Sequence, residues 1–189
     1  VPPSPQVVVG LGNPGPRYAP TRHNIGFRLL DRLARDLGAG PETGAGSYRV
    51  AWGELEGIRV ALLRPMTFMN RSGDAVAALP ESALAGPGGH LVVLDDVWLP
   101  FGALRFRPAG GPGGHLGLTS VLEALGTEAV PRLRMGVGGA EEADLADYVL
   151  RPFAPEEEER IEAWLVRASE GVRVHLREGP AAAMSRFNG

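Results

Sequence analysis

"VVVGLGNPGPRYAPTRHNIG", Val7 to Gly26, opens on an apolar β-branched run and then sets Gly10, Gly12 and Gly15 in the spacing G-x-G-x-x-G. A strand followed by such glycines is how a dinucleotide-binding fold begins. That site needs the third glycine to open a helix whose N-terminus holds the pyrophosphate. Here Pro14 lies between the second and third glycines, Pro16 follows the third, and Pro20 would break any helix begun there. Asp31 stands about 20 residues after Gly10, as the fingerprint asks, but in mid-helix instead of at the end of a second strand. The stretch therefore reads as a strand, Gln6–Leu11, then a stiff non-helical loop. The glycines are expected to turn the chain tightly enough for Asn13 to face His23.

Outward from this loop, Ile25, Leu29, Leu30, Leu33 and Leu37 fall at helical spacing, which predicts a helix over 22–37 with Gly38 as C-cap. Tyr48–Leu55 and Ile58–Arg64 flank Glu56-Gly57 as a hairpin. A second helix is expected over 67–79, with Gly73 a weak point inside it. Residues 85–89 read as a loop. Leu91–Leu94 is a buried strand ending in Asp95-Asp96, and Ala103–Arg107 is an alternating strand. Pro108–Gly117, with five glycines and two prolines, is expected to be a mobile loop before a helix over 118–125. Arg132–Val137 alternates again, with Arg132 and Arg134 opposite Leu133 and Met135. A long amphipathic helix over Pro155–Glu178 carries proline in its first turn and acids near its positive end. A short helix over Pro180–Phe187 closes the chain. Strands mixed with helices predict one α/β domain over 1–189, a mixed, mostly parallel twisted sheet with helices on both faces. Residues 1–5 read as a short disordered lead without the basic and apolar regions of a signal peptide.

A chain of 189 residues can bury about two-thirds of its unfolded surface as one domain. It holds no cysteine, so disulfides, thiolate metal sites and cysteine nucleophiles are excluded together, which fits a cytoplasmic protein. Its four histidines show no H-x-x-x-H pair, so no zinc site is expected. No apolar run approaches the length of a membrane span. The formal net charge is −3, all 19 cationic side chains are Arg, and acids concentrate in the last quarter, including the run Glu156–Glu159. That run reads as a solvated helix start, and the body of the chain is left able to present a basic face to RNA.

The polar residues that remain fall at strand ends. Asn13, Tyr18 and His23 follow the first strand, "PMTFMNRSG" puts Met69 and Asn70 after another, and "VVLDDVWLP" ends a buried strand in two acids. In an open α/β sheet such residues gather in one crevice. One His, one Asp and two Asn there are the inventory of a histidine-driven hydrolase without a nucleophilic side chain. G-x-S-x-G is absent, so a serine triad has no support.

Taken together, "VVGLGNPGPRYAPTRHNIGF", "RPMTFMNRSGDAV", "VVLDDVWLPFGALRFRPAGGPGGHLGL" and "RLRMGVG" resemble bacterial peptidyl-tRNA hydrolase, in order and over nearly the whole chain. The resemblance implies a compact, usually monomeric domain that needs no metal, organic cofactor, membrane or protein partner. Its substrate is peptidyl-tRNA, met at the 3′-CCA end and acceptor region, and it cleaves the ester between the peptide and the terminal ribose. It implies His23 as catalytic base, Asp95 as the acid orienting it, and Asn13 and Asn70 as residues placing the substrate and stabilising charge. Tyr18 and Met69 match residues lining the site, Arg105, Arg107 and Arg134 match basic residues facing the tRNA, and His115 lies in the matching glycine-rich loop. Two positions depart from the pattern. Leu116 stands where an Asn that contacts substrate is common, and Trp98 stands where a second acid is common. Pro112 also stiffens the loop. These departures imply weaker substrate affinity, to be relieved by Leu116→Asn, with the chemistry retained. Two other readings compete: a non-catalytic RNA-binding relative of the same fold, which would not need His23, Asp95, Asn13 and Asn70 together, and the nucleotide-binding oxidoreductase that Pro14 and Pro20 disfavour.

Overall fold

The computed structural model describes residues 4–80 and 86–189. Residues 1–3 of the expected lead, and residue 85 of the expected 85–89 loop, lie outside them. The strands are β1 (Gln6–Gly10), β2 (Tyr48–Leu55), β3 (Ile58–Pro65), β4 (His90–Asp96), β5 (Leu104–Arg107) and β6 (Arg132–Gly136). The helices are α1 (Ile25–Asp36), α2 (Ser72–Ala77), α3 (Leu116–Leu125), α4 (Leu145–Val149), α5 (Pro155–Glu178) and α6 (Pro180–Phe187). The six strands form one mixed sheet in the order β2-β3-β1-β4-β6-β5, with antiparallel pairs only at its two edges.

Period-two alternation splits the apolar residues between two cores. Val8, Leu91, Val93, Leu133 and Met135 face α1, α5 and α6, whereas Val7, Val9, Val92 and Leu94 face α2 and α3. Chain connections leave β1 toward β3 and leave β4 toward β5 and β6, so the direction of winding reverses between β1 and β4. The carboxyl ends of these two strands therefore open a crevice at the switch point, where such sheets bind ligands.

The glycines act differently from the sequence reading. Of Gly10, Gly12 and Gly15, only Gly15 takes a positive φ, of 103°, and turns the loop. Gly10 and Gly26 let α1 lie directly on the strand end. A Cβ on Gly26 would stand 2.6 Å from the Leu11 carbonyl oxygen, and one on Gly10 would stand 2.6 Å from that of Gly26. Gly12 makes the same room for the Phe27 ring.

Four more expectations are corrected. The helix expected over 67–79 is a 3-10 turn, Met69–Arg71, followed by the short α2, and Gly73 is where α2 closes on the Ser120 carbonyl of α3. α3 starts at Leu116, two residues early, because His115 caps it. Arg132 is buried despite its alternating pattern, and donates to the carbonyls of Val130 (2.9 Å), Gly111 (3.0 Å) and Glu128 (3.4 Å), so it ties the glycine-rich loop to the sheet. The acidic run is only partly solvated: Glu157 pairs with Arg22 at 2.8 Å and Glu158 with Arg28 at 2.6 Å, clamping α5 to α1.

His175 of α5 is buried with its ring stacked on Phe106, and burial pushes its pKa down to about 4. The native state keeps it neutral, while the unfolded chain takes up a proton below about pH 6.5. Stability should therefore fall by about 3 kcal/mol from this group as pH drops from 6.5 to 4. Urea unfolding of His175→Leu at both ends of that range checks this. The variant should lose less stability on acidification than the parent, and equal losses would refute the assignment.

Candidate active site

Three elements meet at the switch-point crevice. The loop after β1 brings Asn13, the 3-10 turn Arg22–Asn24 at the head of α1 brings His23, and the end of β4 brings Asp95. Asn24, which sequence reading passed over inside T-R-H-N, is fully buried and holds the loop. Its Oδ1 accepts the Asn13 N–H and its Nδ2 donates to the Asn13 carbonyl, both at 2.9 Å. Asn13 Oδ1 accepts the Met69 N–H at 2.8 Å. With the oxygen so engaged, the Nδ2 amino group of Asn13 is the end left to donate into the crevice.

His23 Nδ1 lies 2.9 Å from both oxygens of Asp95. His115 Nε2 lies 2.8 Å from Oδ1 of the same carboxylate. The tautomer of His115 follows from its other nitrogen, since Nδ1 accepts the Leu118 N–H as the cap of α3. Nε2 must then carry the proton and donate to Asp95. Asp95, 2 % exposed, thus accepts from two imidazoles. Burial alone would raise its pKa, but the charge and hydrogen bonds of the two histidines outweigh burial and hold it well below the usual carboxylate range. For His23, burial lowers the pKa, and the charge and hydrogen bond of Asp95 carry it above 6.5. A proton on His23 Nδ1, facing Asp95, leaves Nε2 as the basic nitrogen.

The donor atoms of His23, Asp95 and His115 lie within 4.8 Å of one another, the one such group among the described residues. A divalent cation there would have to displace the hydrogen bonds just described. Asp96 next door is buried and accepts the Trp98 N–H at 2.9 Å and pairs with Arg134 Nε at 3.0 Å. The cleft has a volume of about 470 Å³, and no Ser, Thr, Tyr, Cys or Lys is among its lining residues.

The chain matches the family described as peptidyl-tRNA hydrolase over residues 7–189. It belongs to that family. A peptidyl-tRNA hydrolase of Chloroflexus aggregans is 47 % identical over 184 residues, covering 96 % of this chain and 98 % of the relative. One from Desulforudis audaxviator is 45 % identical over 183 residues, covering 97 % and 93 %. The crystal structure of the Acinetobacter baumannii enzyme superposes with a TM-score of 0.88 at 30 % identity, covering 97 % and 96 %.

Of the residues that the family resemblance singled out, Asn13, His23, Asp95, His115, Leu116 and Arg134 line one cleft. Met69 is buried beneath it and reaches the site through its main-chain N–H. Asn70 is exposed on the same 3-10 turn, outside the cleft lining. Tyr18 meets the exposed Phe68, which sequence reading did not single out, edge-on at 6.4 Å. Arg105 and Arg107 are exposed on β5, opposite Arg134 and Arg132 in register, so all four share one sheet face. No described helix is long and apolar enough to cross a membrane.

Proposed function

We propose that this chain hydrolyses the ester between a peptide and the 3′-terminal ribose of tRNA with a water activated by His23. Family membership supports the reaction. The observation that carries the water is the cleft itself, in which a basic histidine nitrogen meets no hydroxyl, thiol or amine side chain and both carboxylates are engaged by other partners. His23 Nε2 takes a proton from water as the oxygen attacks the ester carbonyl. Asp95 holds the required tautomer and stabilises the imidazolium that forms. The Asn13 amino group donates to the developing oxyanion, a contact typically worth about 3 kcal/mol in the barrier. The C–O bond to the ribose then breaks, and the 3′ oxygen takes the proton back from His23. An ester is activated enough for this without a metal. Asn70, Tyr18 and Phe68 supply a rim for the substrate, and the reading places the enzyme in the cytoplasm as a monomer without a protein partner.

Release of peptide from an N-acetyl-aminoacyl-tRNA tests the reading. Binding of that tRNA without cleavage would favour the non-catalytic RNA-binding alternative instead.

The arginine face is the proposed footprint of the acceptor region. Each Arg–phosphate contact releases counterions, so affinity should fall linearly with log salt. Arg105→Ala with Arg107→Ala should weaken tRNA binding evenly across tRNA species and shrink the salt slope by about 1 to 2. Titrations across a range of KCl concentrations measure it. An unchanged slope would remove these two residues from the interface.

A further inference from the structure

Trp98, Leu116 and Leu150 are 60 %, 64 % and 44 % exposed, among the few large apolar side chains left open to solvent in the described residues. All three line the cleft that holds His23 and Asn13, joined by Leu145 and Val149 of α4. We infer that this apolar wall receives the side chain of the peptide's C-terminal residue, so that the enzyme favours peptidyl-tRNAs ending in aliphatic or aromatic residues. The inference rests on the esterase reading above.

The wall is fixed to the catalytic groups. Trp98 is held through its main-chain N–H by Asp96, the neighbour of Asp95. Leu116 is the first residue of α3 and follows His115, whose ring both caps that helix and binds Asp95. α4 is anchored by the buried Tyr148, whose hydroxyl donates to the Val137 carbonyl at 2.8 Å, and Asp144 caps its start by accepting the Asp147 N–H at 3.0 Å. Gly139 leaves the space that the Tyr148 ring fills, since a Cβ there would run into it. The main chain that carries the wall is thus tied to the elements that carry the reacting centre.

Chemistry chooses the occupant. The side chain of the last residue begins two bonds from the carbonyl carbon under attack, so every substrate except one ending in glycine carries a side chain into this cleft. The acids of the cleft are engaged, Asp95 by two imidazoles and Asp96 by Arg134 and the Trp98 N–H. No lining residue contributed by α4 is ionisable, and Arg134 elsewhere in the lining is already paired with Asp96, so a carboxylate or ammonium buried against α4 would lose its water without gaining a free partner. An aliphatic or aromatic group would exchange water for the exposed faces of Trp98, Leu116 and Leu150.

The test uses one tRNA body acylated with N-acetyl-leucine, N-acetyl-phenylalanine, N-acetyl-glycine or N-acetyl-aspartate, with kcat/KM measured for each. The parent enzyme should favour leucyl and phenylalanyl over aspartyl substrates by about tenfold or more. Leu116→Asn and Leu150→Asn, with folding checked by thermal melting, should bring that ratio to within about twofold. A parent ratio near one, with brisk turnover of all four, overturns the inference and leaves the esterase reading standing. Variants that slow all four substrates by one common factor also overturn it, because the wall would then touch a group shared by all, such as the terminal adenine stacked on Trp98. Absence of turnover with every substrate overturns the esterase reading, and the inference with it.

Discussion

His23→Ala should lower kcat/KM for an N-acetyl-aminoacyl-tRNA by about 10³- to 10⁴-fold while tRNA affinity changes by less than about threefold. The separation follows from where the two functions sit. On the proposed footprint, affinity comes from arginine contacts to phosphate on β5 and β6, none of which passes through His23. In the proposed mechanism chemistry has one basic nitrogen, His23 Nε2, and the cleft offers no hydroxyl, thiol or amine side chain to take over. Alanine also removes one of the two donors to a buried carboxylate, which costs about 1 to 3 kcal/mol of stability. His23→Asn serves as the companion variant, because its amide keeps a donor within reach of Asp95 yet cannot act as a base. Single-turnover assays with excess enzyme, alongside filter binding, separate the two effects. Turnover retained in both variants would assign the base elsewhere.

How far the site could be read in the sequence depended on the kind of force at each position. α5 and α6 lie within the bounds that Pro155, Glu178, Pro180 and Phe187 mark, because proline in a first turn and an intervening glycine are local signals. Gly10, Gly12 and Gly26 were legible as glycines but not as packing glycines. Their reason is the approach of α1 to the β1 end, a contact between segments that no local pattern encodes. The start of α3 was misplaced for a similar cause, since histidine is outside the usual capping set and caps here only because Asp95 holds its other nitrogen. That same pair of hydrogen bonds is why His115 could be placed in the loop from sequence but not joined to the His23–Asp95 pair. α4 carried a signal, Asp144 as cap and Leu145, Tyr148 and Val149 at helical spacing, but five residues are too few to stand out. Its consequence is large, because α4 supplies much of the apolar wall. Trp98 and Leu116 likewise read separately as departures that weaken binding. Only the fold shows them as two parts of one surface.

Asp95→Asn should cost about 10³- to 10⁴-fold in kcat and also move the pH profile, and the second effect distinguishes its role from that of a mere packing residue. An amide offers one acceptor and one donor, whereas the two histidines each present an N–H to this position. His115 cannot change tautomer without losing the cap of α3, so it keeps the acceptor and His23 meets the amino group. His23 then turns its lone pair inward and its proton outward, and the base is lost. The charge changes in step. In the parent, Asp95 raises the His23 pKa above 6.5, so the neutral, active form accumulates only as pH rises through that higher value. Without the carboxylate only burial acts on His23, and burial favours the neutral ring. The ascending limb of kcat/KM against pH should therefore lie above 6.5 in the parent and below 6.5 in the variant. Asp95→Glu, which keeps the charge at a longer reach, should recover part of the rate and leave the limb near its parental position. A residue that served only to fill space would slow the reaction in both variants without moving either limb. The coincidence of a shifted limb with a lost rate is what a carboxylate acting through the imidazole requires.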